Sequence, residues 1–260
     1  MPFITPLEPE LLLQMKNNIT VFTDNSLYGQ VAQLHAQKLA QIFDAEIHYV
    51  EVLKTNDFRN VSIEVGERLF FILPIVSPKC HQLFNLKKVK KWIRRARVPV
   101  FITGISKPNI DDYQQIVLPI DLNCQEKELA LWASYFPAYF QKNCPQIPKE
   151  NVLIHIIYNQ YNNDFLSKKV LNNIEYVMKL LDNLKVHYKL HSFKKVNNIH
   201  TFGLQFAKNI ENSILLHLIP AHNSLIDMFF GPIVTKLLNK KEHIPVLCLN
   251  AREDILMLCR

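Results

Sequence analysis

The chain has 260 residues, with 30 Lys and Arg against 23 Asp and Glu and a formal net charge of +7. Hydrophobic residues make up 48% and charged residues 20%, a balance that supports a sizeable core and excludes disorder as a whole-chain description. Only five glycines are present, Gly29, Gly66, Gly104, Gly203 and Gly231, about 2% against an average near 7%, which counts against a function built on a glycine-rich phosphate loop. The cysteines (Cys80, Cys124, Cys144, Cys248, Cys259) are odd in number and form no Cys-x-x-Cys pair. That is the pattern of reduced thiols in a cytoplasmic protein, not of a disulfide framework or a zinc site. Met1 to Lys16 carries Glu8 and Glu10 and no basic leader, and no apolar run approaches 18 residues. Neither a signal peptide nor a transmembrane helix is expected.

In chain order, Ile19 to Thr23 reads as a buried strand. Asp24-Asn25-Ser26 supplies helix-capping residues, and Leu27, Val31, Leu34, Leu39 and Ile42 recur at helical spacing. Glu46 to Leu53 and Leu69 to Ile72 are strands, Lys87 to Arg95 is a basic helix, and Val98 to Ile102 is a strand closed by Gly104. Lys107 to Asp112 reads as a linker, and the programme then restarts. Gln115 to Ile120 is a strand, followed by Asp121 and by a helix over Leu129 to Phe140 that Pro137 is expected to kink. Val152 to Tyr158 is a strand and Leu166 to Leu181 a strongly striped helix. In the strand after it, Val186, Tyr188 and Leu190 are expected to point inward, with His187, Lys189 and His191 outward. Ile199 to Ile210 is a helix, Ser213 to Ile219 a strand, Ile233 to Leu238 a helix and Ile244 to Leu249 a final strand.

Strands alternating with helices imply right-handed βαβ units and a mostly parallel sheet covered on both faces. Strand-Asp-helix-strand occurs twice, and so does helix-Pro-Val-strand. Between Leu53 and Leu69 the chain has about 15 residues, where the second copy has about 54 between Tyr158 and Ser213; the shorter gap cannot hold a complete helix-strand-helix crossover. The first copy is therefore expected to lack an edge strand. In a sheet ordered 3-2-1-4-5 the last strand of each copy lies at an edge, and pairing Val100-Phe101-Ile102 antiparallel with Val246-Leu247-Cys248 would cover both.

The repeated opening strands ending at Asp24 and Asp121, and the closing strands at Arg97-Val98-Pro99-Val100 and His243-Ile244-Pro245-Val246-Leu247, resemble the universal stress protein family in tandem. The resemblance implies two open, mostly parallel α/β domains of Rossmann-like order 3-2-1-4-5, as in the adenine nucleotide alpha hydrolases. Residues 18–106 form a shortened domain and 113–252 a complete one. It implies a cytoplasmic stress-response or regulatory binding module whose domains form an internal pseudo-dimer, with a homodimer, a protein partner or a small ligand left open.

Nucleotide-binding members use an acid after strand 1 and a Gly-x-x-Gly, nine residues, Gly-Ser/Thr signature after strand 4, where the glycines let phosphates approach backbone amides. Here Asp24 and Asp121 match the acid and Gly231 matches the last glycine. Ala221 and Leu218 stand at the two earlier glycines, His222 lies beside them, and Pro232 replaces the hydroxyl residue and removes an amide. Asp24, Asp121, Ala221, His222 and Gly231 are thus the candidate site, of a degraded kind, and no bound cofactor is expected. The plain reading of the two acids is that they cap helices or satisfy loop groups.

The run Lys87 to Arg97 carries seven of the 30 cations and offers an alternative, nucleic-acid-binding reading. The plainer one is an amphipathic helix burying Val89, Trp92, Ile93 and Ala96, so neither a nucleic acid nor a membrane is expected as a partner. His187 and His191, four apart on a strand, are about 13 Å apart and cannot share a metal. No Gly-x-Ser-x-Gly elbow, GxxxxGK[ST] loop or His-x-Gly-His pair occurs, so no catalytic residue and no metal ligand is assigned. The remaining alternative is an ATP-binding universal stress protein with weak ATPase activity.

Overall fold

β-Branched runs and capping residues set the element boundaries. The computed structural model describes residues 17–23, 26–51, 68–74, 92–103, 108, 113–122, 126–219 and 244–250. β1 (Asn17–Thr23) leads to α1 (Leu27–Phe43). Ser26 caps α1, its hydroxyl accepting from the Gly29 amide at 3.2 Å. Asp44 ends the helix at a left-handed φ of 50°, its amide donating back to the Ala40 carbonyl. β2 (Ala45–Glu51), β3 (Arg68–Leu73), β4 (Val100–Ile102) and β5 (Gln115–Ile120) follow. α2 (Glu126–Asn143) continues through Pro137 as one helix. Then come β6 (Leu153–Gln160), α3 (Asp164–Asn183), β7 (Tyr188–Lys194), α4 (Ile199–Lys208), β8 (Ser213–Ile219) and β9 (Val246–Asn250). The side chains of Asn163 and Asn198 cap α3 and α4.

The described strands join one sheet, nine strands of which are described, in the order β2-β1-β3-β4-β9-β8-β5-β6-β7. Every neighbouring pair is parallel except β4 with β9, where Val100 faces Cys248, Phe101 faces Leu247 and Ile102 faces Val246. Among the described residues the first half of the chain supplies four strands and the second half five. The run β7-β6-β5-β8-β9 follows the order 3-2-1-4-5, and β2-β1-β3-β4 follows the same order, with no counterpart of β7 among the described residues. The antiparallel edge pairing expected from the two closing strands is present.

Each face of the sheet carries one core that runs across both halves. On one face Leu39 and Phe43 of α1, Phe136 and Phe140 of α2, and Val177 and Leu181 of α3 pack on Ile19, Ile116 and Ile154. On the other, Trp92, Ile93 and α4's Ile199, Leu204 and Ala207 pack on Phe22, Phe71, Ile157 and Leu215. α1 and α2 meet directly: the Phe43 and Phe136 rings stand edge to face at 5.1 Å, and the Asn143 amide donates to the Ile42 carbonyl at 2.7 Å.

β7 departs from the expected alternation. Leu190 is 39% exposed, while His191 is half-buried. β7 is the outermost strand, so its Leu190 face is incompletely covered. Its His191 and Phe193 face packs against rings of α4, with Phe193 and Phe202 at 4.5 Å and His191 and Phe206 at 5.0 Å.

Candidate ligand crevice

In a parallel sheet, ligands bind beyond the C-terminal strand ends where the strand order reverses. The reversals lie between β5 and β8 in the second half and between β1 and β3 in the first. Of the candidate residues, Asp121 is described, directly after β5. Asp24, Ala221, His222 and Gly231 lie outside the described residues, as do Lys87 to Lys91 of the basic run.

Asp121 is held by its neighbours. The Tyr161 hydroxyl donates to its Oδ1 at 2.5 Å, and the Asn173 amide donates to its backbone carbonyl at 2.8 Å. The loop after β5 is thereby tied to the loop after β6 and to α3. A second clamp joins β6 to the loop after β7: Asn159 donates to the Val196 carbonyl at 2.9 Å and accepts from the Val196 amide at 3.3 Å. The Asp121 clip fixes the rim on its β5 side, and the Asn159 clip ties loops farther along the same end of the sheet. Leu218, at the first signature-glycine position, lies inside β8, buried and in register with Leu249.

Beneath the rim, His217 of β8 is fully buried, its ring 5.6 Å from that of His200 at the start of α4. Burial, and then the neighbouring His200, push its pKa down to about 3, so it stays neutral at ordinary pH. Cys248, opposite His217 in the sheet, has its thiol pushed up to about 12 by burial. A neutral imidazole beside an un-ionised thiol is packing chemistry, not an activated nucleophile.

The other end of the sheet holds a relay that the sequence pattern did not reveal. The Asn151 carbonyl accepts from Gln115 Nε2 at 2.8 Å, Gln115 Oε1 lies 2.8 Å from His155 Nε2, and His155 Nδ1 lies 3.0 Å from His191 Nε2. A carbonyl only accepts, so every role in the chain is set. Gln115 turns its NH2 to Asn151, His155 carries its proton on Nε2, and His191 donates from Nε2 to the bare His155 Nδ1. Burial first, then His191 and Lys189, lower the His155 pKa to about 4; burial and then Lys189 lower that of His191. The signal in the sequence was a lone histidine inside the apolar run Val152 to Tyr158, since a buried polar group requires a partner. His191 finds its partner across the sheet on β6, not along β7.

In the described part of the basic run, Trp92, Ile93 and Ala96 are buried while Arg95 and Arg97 are exposed. The Asn250 amide donates to the Ile93 and Ala96 carbonyls at 2.6 and 2.7 Å. Among the described residues no group of three or more His, Cys, Asp or Glu is placed to hold a metal ion. No described helix is long and apolar enough to cross a membrane.

No protein-family profile matches the chain, and no curated protein matches it. Among solved structures it is similar to a universal stress protein from Archaeoglobus fulgidus DSM 4304, with a TM-score of 0.54 at 10% identity over 93% of this chain and 90% of that one. It is also similar to a functionally unknown protein from Pseudomonas aeruginosa PAO1, with a TM-score of 0.53 at 12% identity over 96% and 97% of the two chains. At such identities the likeness is one of architecture: the chain carries the fold of a universal stress protein.

Proposed function

We propose that this chain is a cytoplasmic stress-response or regulatory binding module of the universal stress protein type, not a catalyst. Its tandem domains, 18–106 and 113–252, act as an internal pseudo-dimer. The strand order carries the reading: a complete 3-2-1-4-5 arrangement joined to a shortened one through the antiparallel β4–β9 pair. Any ligand is expected at the crevice beside Asp121. Mg-ATP is a poor fit there. The Asp121 carboxylate is engaged by Tyr161, Leu218 is buried within a strand, and Pro232 offers no amide to a phosphate. Each missing charge-assisted contact forfeits about 1.5–3 kcal/mol.

Calorimetry with Mg-ATP tests this. No binding tighter than about millimolar is expected, equivalent to only about −4 kcal/mol. A micromolar constant, or nucleotide retained through purification, would overturn the reading in favour of an ATP-binding protein using Asp121, Ala221, His222 and Gly231, with Asp24 in the first domain.

A further inference from the structure

We propose that the face formed by β7 and α4 binds single-stranded nucleic acid, at a site separate from both the crevice and the 87–97 run. Residues 183–210 contain no Asp or Glu but carry Lys185, Lys189, Lys194, Lys195 and Lys208 together with His187, His191 and His200. Lys185, Lys189, Lys194 and Lys195 are all exposed. In β7, side chains two apart share a face at about 6.6 Å intervals, which places Lys189, His191 and Phe193 in one row. That row faces α4: Phe193 lies 4.5 Å from Phe202 and 5.8 Å from Phe206, and His191 lies 5.0 Å from Phe206, ring centre to ring centre. All four rings are half-buried, so each keeps some surface open to solvent.

Lysines on an edge strand have a plainer use, which is to deter pairing with another chain. Two observations go beyond it. The opposite edge of the same sheet, β2 with its preceding turn, carries Asp44, Glu46 and Glu51 and no lysine, so edge protection here does not demand positive charge. A guard of charges also has no need of a row of partly open aromatic rings between them. Cations flanking aromatic faces are the requirements for a polynucleotide strand: phosphates pair with Lys189, in the same row, and with Lys195, just past the end of β7, and bases stack on the Phe193, Phe202 and Phe206 ledge. Stacking tolerates any base, so the site is expected to select strandedness more than sequence.

The full chain is tested with a fluorescein-labelled 12-mer of oligouridylate, read by anisotropy. If the two lysines each neutralise a phosphate on a single strand, raising salt from 50 to 200 mM should weaken binding roughly sevenfold. Lys189→Glu and Lys195→Glu should each weaken it at least tenfold at 50 mM salt and flatten the salt dependence. Phe193→Leu, which keeps an apolar side chain, should weaken oligouridylate at least fivefold and leave heparin, a polyanion without bases, unchanged. Circular dichroism verifies that each variant is folded. The proposal is overturned if no salt-dependent binding occurs at 50 mM. It is equally overturned if Lys87→Glu with Lys88→Glu abolishes binding while the β7 variants keep it, or if an anionic vesicle or heparin binds as tightly as oligouridylate with no effect of Phe193→Leu.

Discussion

Asp121 and His155 are both polar residues bordered by apolar strand, and their partners decide what each does. The acid after the first strand of a repeat is legible from sequence as a position; that Tyr161 and Asn173 hold it is not, because those residues lie 40 and 52 places away along the chain. His155 makes the same point for titration. Its pKa is lowered from the ordinary value of 6.5 to about 4, so the unfolded chain binds the proton more readily than the folded one. The stability this contributes is full above about pH 6.5 and is lost as pH falls toward 4. Protonated His155 would also lose the Nδ1 acceptor that His191 donates to, so keeping the 3.0 Å contact would require His191 to change tautomer. Discounting for solvent at the sheet edge, the loss is on the order of 1–2 kcal/mol. Urea midpoints measured between pH 7 and pH 4 should therefore fall with acidification. His155→Gln should flatten that slope in part, with the remainder coming from His217 and His191, which are lowered in the same direction. An unchanged slope in the variant would remove the relay from the pH response.

At the scale of elements, α4 shows why local propensity and packing must be weighed together. Gly203 sits inside the helix, where alanine would gain about 1 kcal/mol of intrinsic propensity. A Cβ there would meet Pro119 Cγ at 3.0 Å and Ile157 Cδ1 and Leu215 Cδ1 at 3.2 Å. The glycine thus lets α4 settle onto three strands at once, and overpacking costs about 1–3 kcal/mol. Gly203→Ala should be net destabilising by about 1 kcal/mol, read as a lower urea midpoint with an unchanged m-value. In α2 the helix runs on through Pro137, spanning Glu126–Asn143. Phe136 and Phe140 on either side of Pro137 are buried against the core, and that burial offsets the lost backbone hydrogen bond. β7 differs from its sequence pattern for the opposite reason. An edge strand has too little cover for strict inside-outside alternation, so its odd face packs on α4 and Leu190 is left exposed.

For the molecule as a whole, the antiparallel seam makes one folding unit of the two halves. Phe101 is fully buried opposite Leu247; its ring packs edge to face on Tyr113 at 5.7 Å and lies 6.2 Å from His35, which hydrogen-bonds the Tyr113 hydroxyl. Phe101→Ala should cost about 3–5 kcal/mol, and Phe101→Asp more, because it buries an unpaired charge. The chain's two tryptophans allow the coupling to be read. Trp92 reports on the first half and Trp132 on the second. In Trp92→Phe and Trp132→Phe backgrounds, Phe101→Ala should move the remaining tryptophan's transition by the same amount. Unequal shifts would mean that the halves unfold separately.

The sequence alone determined the alternation of strands and helices and the mostly parallel sheet they build. Those follow from local periodicity, capping chemistry and chain length, all of which act between near neighbours. It also supplied the reason for joining the closing strands, since two apolar edges require cover. Only the tertiary structure decided which distant polar groups meet: Tyr161 with Asp121, His155 with His191, Asn250 with the Ile93 and Ala96 carbonyls. It also set Lys189 of β7 in the row that faces the rings of α4. The densest cationic run is 87–97, whereas 183–210 is distinguished by the absence of acids and by rings brought together from two elements. Side-chain partnerships across a sheet depend on strand order and register, and these are set by the burial of the whole core, not by any local stretch of chain.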